Sequence, residues 1–130
     1  ACHDYDHPGW NNVYHVNAQH DLAIRYNDKA VLENYHIAAT YMIMKDKDYN
    51  ICANLSKPDF KSLREKIIAM ILATDMSQHF SEFALLKTRL AADFDTKSKD
   101  KLLCMKMILH AADISNPAKP WAVCENWAKR

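Results

Sequence analysis

Glycine is nearly absent: Gly9 is the single example in 130 residues. That excludes phosphate-cradling glycine loops, a dinucleotide-binding turn and most tight hairpins. Cysteine is sparse, at positions 2, 52, 104 and 124, and no pair has C-x-x-C spacing. A zinc ribbon and a dithiol redox motif are therefore unsupported, and the reading is four reduced thiols in a cytoplasmic protein. Charge of one sign is also lacking, since 17 Lys and Arg face 16 Asp and Glu for a formal net charge of +1. Nothing in that balance asks for nucleic acid or an anionic membrane as partner. No apolar run approaches the roughly 20 residues of a spanning helix. There is no start methionine, and the opening Ala-Cys-His-Asp has the character of neither a signal nor a transit peptide. The pattern at Arg130 still reads as helix, so the chain is expected to be truncated at both ends.

What is present is a globular balance of 49% hydrophobic and 25% charged residues, in a length suited to one domain. Pro8-Gly9 marks a turn, so a helix carrying His3 and Asp4 should stop near His7. Residues 20–26 form a short helix, and Asn27-Asp28 offers a cap for the next, over 30–46. That run is apolar on more than one side, which predicts a mostly buried helix; residues 50–55 add a turn. Ser56-Lys57-Pro58-Asp59 combines a capping hydroxyl, a first-turn proline and an acid at the positive helix end. From there to about Phe94 neither Gly nor Pro interrupts a helical period. Such an element would exceed about 50 Å at about 1.5 Å per residue, so one bend or break is expected. Residues 95–100 read as a solvated loop, 102–112 as a helix closed by Ser115-Asn116-Pro117, and a last helix starts near Lys119-Pro120. The fold class is all-α, with five or six helices.

Several polar residues stand beside these apolar runs. His3 and His7 are four apart and would share a helix face, with Asp4 flanking, a donor set suited to divalent metals or to capping and surface roles. Glu33 and His36 are three apart on the buried helix, where a charge needs a partner: each other, or a metal. Thr74-Asp75 with Gln78-His79 is a polar island, either a solvated face or a satisfied buried group. Asp113 ends an apolar helix where an acid opposes the macrodipole, which points to a bound cation. One metal-centred pocket between helices accounts for these residues jointly.

HDYDHPGWNN, followed in order by YNDKAVLENYH, ILATDMSQHF and LHAADISNPAKPW, resembles the catalytic domain of class I cyclic-nucleotide phosphodiesterases. Four ordered blocks across essentially the whole chain make the resemblance specific. It implies that residues 1–130 are the central part of a single catalytic domain, a compact multi-helix bundle of the HD/phosphodiesterase type. It also implies hydrolysis of cyclic AMP or cyclic GMP to the nucleoside 5′-monophosphate in cyclic-nucleotide signalling, with possible regulatory domains in the parent. By position, His3, Asp4 and Asp113 correspond to metal ligands, Asp4 bridging two divalent ions, a tight Zn2+ and a second Mg2+ or Mn2+. His7 corresponds to a histidine beside the attacking water, and Glu33 and Thr74 to groups holding waters of the second metal. Met76 corresponds to a pocket-lining residue, and Asn116 to one near the purine.

The chain also departs from the pattern. The resemblance places an H-N-x-x-H block, with the leaving-group acid and a further metal histidine, upstream of residue 1, and a purine-orienting glutamine beyond Arg130. The 130 residues alone are therefore expected to be inactive. Tyr35 stands where the family usually has histidine (LENHH), and Cys124 where some members have tyrosine. The alternatives are another HD-type metal phosphohydrolase, which leaves the YND, LEN and LATDM blocks unexplained, or a catalytically silent nucleotide-binding module. A di-iron bundle is disfavoured because only one Glu-x-x-His is present.

Overall fold

The computed structural model describes residues 2–129. Among them are seven α-helices: α1 Asn12–Asn17, α2 Asp21–Arg25, α3 Val31–Ile43, α4 Lys57–Leu72, α5 His79–Leu90, α6 Lys101–Asp113 and α7 Trp121–Ala128. Two short 3-10 turns, Met76–Gln78 and Asn116–Ala118, complete the regular structure. The all-α expectation holds, and no helix among the described residues is long and apolar enough to cross a membrane.

α4 begins as its sequence dictates. Ser56 Oγ accepts from the Asp59 amide at 3.2 Å and Pro58 occupies the first turn, where its missing N–H costs nothing. The long helix expected to follow breaks once, between Leu72 and Met76. Thr74 Oγ1 donates to the Ile71 carbonyl at 2.8 Å, and the Asp75 carboxylate accepts from the Ser77 amide at 2.9 Å. Both side chains offer the backbone partners in place of the helical ladder, which is how Thr and Asp end helices. The break turns Thr74 and Asp75 inward, to 7% and 9% exposure, so they are buried groups rather than a solvated face.

The entry to α3 also differs from expectation. Asn27 and Asp28 do not cap it; both lie at positive φ, 54° and 61°, with Ala30 at 42° as the residue preceding the helix. The left-handed region suits Asn and Asp but costs alanine about 1–2 kcal/mol. Two side chains hold the strained corner. Asn34 Nδ2 donates to the carbonyls of Lys29 and Ala30, each at 3.0 Å, and Asn12 Oδ1 accepts from the Leu32 amide at 2.9 Å. The cap of α3 is thus supplied by α1, a short helix the sequence pattern did not announce.

Val31, Leu32 and Ile37 of α3, Ile71 and Ala73 at the end of α4, and Ala23 of α2 form the buried apolar core. α4 packs on α6 and on α3, and α1, α2 and α3 pack on one another. The 95–100 loop is exposed over residues 96–99 as expected, but its last residue turns inward: Asp100 is 4% exposed and accepts from Arg89 Nε at 2.7 Å, Arg89 Nη2 at 3.1 Å and the Asp95 amide at 2.8 Å. This fork holds Asp100 well below the usual carboxylate range, at about 2, and ties α5 to the start of α6.

Candidate metal centre

Residues 3–6 form consecutive turns rather than the helix expected, because Pro8-Gly9 follows too soon and Asp6 sits at φ 58°. His3 and His7 therefore do not meet as i and i+4 neighbours. His7 Nδ1 instead accepts from the Gly9 amide at 3.0 Å, and its ring stacks on His36 at 5.5 Å.

The turn projects His3 and Asp4 toward the C-terminal end of α6. His3 Nε2 lies 3.0 Å from Asp113 Oδ1 and 3.1 Å from Asp4 Oδ2. One ligand atom from each of the three residues falls within 4.8 Å of the others. Among the described residues this is the group of three or more His, Cys, Asp and Glu placed to hold a metal. Ligands about 2.0–2.2 Å from a tetrahedral zinc stand about 3.4 Å apart, and one imidazole with two carboxylates suits zinc and harder divalent ions. The residues present fit such an ion. Without one, both oxygens are acceptors, so Nε2 must carry the proton and share it between them. His3 Nδ1 is then left buried without a partner. A cation here would be held by His3 Nε2 with Asp4 and Asp113, and would supply the positive charge that two neighbouring carboxylates lack. The placement of Asp113 at the negative end of α6 then has its physical reason.

α3 builds the wall behind the turn. His36 is 1% exposed, with Nδ1 2.6 Å from the Tyr5 carbonyl and Nε2 3.9 Å from Asp4 Oδ1. A carbonyl only accepts, so Nδ1 is the protonated nitrogen; burial lowers the pKa and favours the neutral ring. The next residue back, Tyr35, donates from its hydroxyl to Asp6 Oδ2. That bond is the main reason its phenol sits above the usual tyrosine range.

Glu33 and His36 do not bond each other, although both stand on α3. Glu33 Oε2 accepts from Asn12 Nδ2 at 2.9 Å. Burial pushes its carboxyl up; the Asn12 bond pulls it back, and the charges of Asp75 and Asp4 add a smaller upward push. Glu33 therefore stands within electrostatic reach of Asp75 and Asp4. Thr74 spends its hydroxyl proton on Ile71, leaving oxygen lone pairs as acceptors. Met76 and Asn116 begin the two 3-10 turns, one just after Thr74-Asp75 and the other just after Asp113. Met76 is 58% exposed, and Asn116 Nδ2 lies 3.5 Å from Cys124 Sγ.

Some contacts carried no clear signal in the sequence. Asn12 is the last letter of the HDYDHPGWNN block, yet only the packing of α1 on α3 shows it serving Glu33 and Leu32 at once. His79 and His110 pair across α5 and α6, Nδ1 to Nε2 at 2.8 Å, and no local pattern announces that contact.

The sequence profile described as 3'5'-cyclic nucleotide phosphodiesterase matches residues 1–130. Dual specificity calcium/calmodulin-dependent 3',5'-cyclic nucleotide phosphodiesterase 1B of Mus musculus is 44% identical over 129 residues, 99% of this chain and 24% of that protein. Probable 3',5'-cyclic phosphodiesterase pde-1 of Caenorhabditis elegans is 42% identical over 127 residues, 98% of this chain and 19% of that protein. The chain thus spans about a quarter or less of these curated relatives. In the crystal structure of the phosphodiesterase domain of Salpingoeca rosetta rhodopsin phosphodiesterase, the same fold recurs with TM-score 0.89 and 36% identity, over 97% of this chain and 40% of that one. Matched along its whole length by the family profile and sharing the fold of a solved phosphodiesterase domain, the chain belongs to the 3'5'-cyclic nucleotide phosphodiesterase family.

Proposed function

We propose that this chain is the metal-binding centre, and the central part of the single catalytic domain, of an enzyme that hydrolyses 3',5'-cyclic nucleotides to nucleoside 5′-monophosphates. The observation that carries the reading is the convergence of His3, Asp4 and Asp113 from two distant parts of the chain onto one point. These residues would hold the tighter ion, zinc on the strength of the imidazole nitrogen, with Asp4 shared to a second ion, magnesium or manganese. When bound, such ions polarise phosphoryl oxygens and lower the pKa of water.

The chain's own residues do the rest. Glu33, whose ionised form the Asn12 bond favours against burial, would accept hydrogen bonds from water on the side of Asp4 and Asp75, and the Thr74 oxygen offers a second acceptor. His7 flanks the same turn and would stand beside the water that attacks phosphorus. His36 is not a candidate for protonating the leaving oxygen: its Nδ1 proton is committed to Tyr5, and burial disfavours its charged form. Met76 and Asn116 would line the approach of the purine. The centre is of the HD type, a His-Asp pair completed by a remote aspartate. The substrate class is cyclic AMP and cyclic GMP, and regulatory segments outside the catalytic domain fit relatives named as calcium/calmodulin-dependent. A cytoplasmic location fits four cysteines that are all unpaired.

The test is Asp113→Ala in the complete catalytic domain, followed by metal analysis and by hydrolysis of both cyclic nucleotides. Loss of bound metal together with turnover is expected. Retention of two ions per chain overturns the ligand assignment, and a metal-loaded enzyme that cleaves nucleoside triphosphates but neither cyclic nucleotide overturns the substrate class.

A further inference from the structure

The turn that carries two metal ligands has little to hold it. Within it, the Tyr5 amide reaches the Cys2 carbonyl at 3.3 Å and the His7 amide reaches the Asp4 carbonyl at 3.2 Å, both long. Asp6 is in the left-handed region at φ 58°, which an aspartate tolerates but which its own side chain does not hold in place. Two adjacent side chains of α3 enforce it. His36 donates to the Tyr5 carbonyl, and Tyr35 donates to the Asp6 carboxylate. α3 is itself anchored by Val31, Leu32 and Ile37, each no more than 6% exposed, so the two donors stand on a rigid base. The resemblance provides no role for Tyr35; it is a position where this chain departs from LENHH.

We propose that Tyr35 is a positioning residue whose hydroxyl clamps Asp6 and thereby fixes the turn that presents His3 and Asp4 to the metal. The clamp acts where the chain passes through the left-handed region, two positions beyond Asp4, on a carboxylate that neither ligates nor joins the core. Its loss leaves the three ligands in place but lets their separation wander, so affinity falls while the fold survives. Outer groups that orient metal ligands typically contribute about 10–100-fold in affinity. Asp6 is exposed and Tyr35 half-buried, which places this clamp at the lower end, about tenfold.

The inference rests on reading His3, Asp4 and Asp113 as ligands, and its test keeps the two apart. The complete catalytic domain is stripped of metal and titrated with Mn2+, free ion being followed by electron paramagnetic resonance, and with Zn2+ against a chromophoric chelator. Tyr35→Phe is expected to weaken binding about tenfold with the melting temperature of the metal-free protein unchanged. Tyr35→His, which restores a donor, should recover most of the affinity. Asp6→Ala should match Tyr35→Phe, and the double variant should be no weaker than either. Affinity within twofold of wild type in Tyr35→Phe, a histidine variant as weak as the phenylalanine one, or additive losses in the double variant overturns the clamp. If Asp113→Ala still binds both ions like wild type, the ligand reading itself has failed; if it releases them while Tyr35→Phe binds normally, the clamp alone has failed.

Discussion

Asn12 is the sharpest point at which to perturb the site, because one side chain serves two purposes that substitutions separate. Its Oδ1 accepts from the Leu32 amide at the start of α3, and its Nδ2 donates to Glu33 Oε2, both at 2.9 Å. Asn12→Ala removes both. Leaving the Leu32 N–H unpaired costs about 1–3 kcal/mol, and losing a donor to a carboxylate about 1.5–3 kcal/mol, the lower half applying to a half-buried acid. A destabilisation of about 2.5–5 kcal/mol is therefore expected. Asn12→Asp keeps an acceptor for Leu32 but sets a second carboxylate against Glu33. Both changes raise the Glu33 pKa further, one by deleting the bond that lowers it and the other by adding like charge. The sign follows directly. If ionised Glu33 is the working form, the acid limb of turnover moves to higher pH in both variants, whereas only Asn12→Ala loses stability through the cap. The assay is a pH profile of turnover on the complete catalytic domain, beside denaturant titrations at fixed pH. An acid limb that stays put in both variants refutes the argument that Asn12 keeps Glu33 charged.

The other expectations are of different kinds. Asp4→Ala in the complete domain should release metal and abolish turnover together, read by elemental analysis of the purified protein, whereas Glu33→Gln should lower turnover with the tight ion still bound. The depressed Asp100 carboxyl contributes stability that is present above the ordinary carboxylate pKa and lost as pH falls through about 2. Asp100→Asn should therefore flatten the acid end of the stability curve measured by denaturant titration, and an unchanged curve would count against the Arg89 fork. Leu32→Ala, at a site 4% exposed, should cost about 2–5 kcal/mol of stability while molecules that remain folded bind metal normally. Asn116→Ala should raise KM for cyclic AMP without altering metal content.

Local chemistry determined much of this chain. Ser56 with Pro58 fixed the start of α4 because a cap and a first-turn proline act within four residues. Near-absence of glycine and helical spacing of apolar residues fixed the all-α class for the same reason: both are short-range backbone preferences. The proposed metal ligands were legible because the blocks around His3, Asp4 and Asp113 are ordered text, and Asp113 was marked further by its unfavourable place at a helix end. Tertiary structure decided what no local rule could. The bonds that break the helix at Thr74-Asp75 are local, but the burial of these two residues depends on packing. The turn at residues 3–6 is held from α3, and the cap of α3 comes from α1, each across a gap of about 20 to 30 positions in sequence. Sequence periodicity reports which face of a helix is apolar; it carries no information about which other helix will supply a donor to that face, because that depends on packing of elements whose order in space the chain alone does not encode locally.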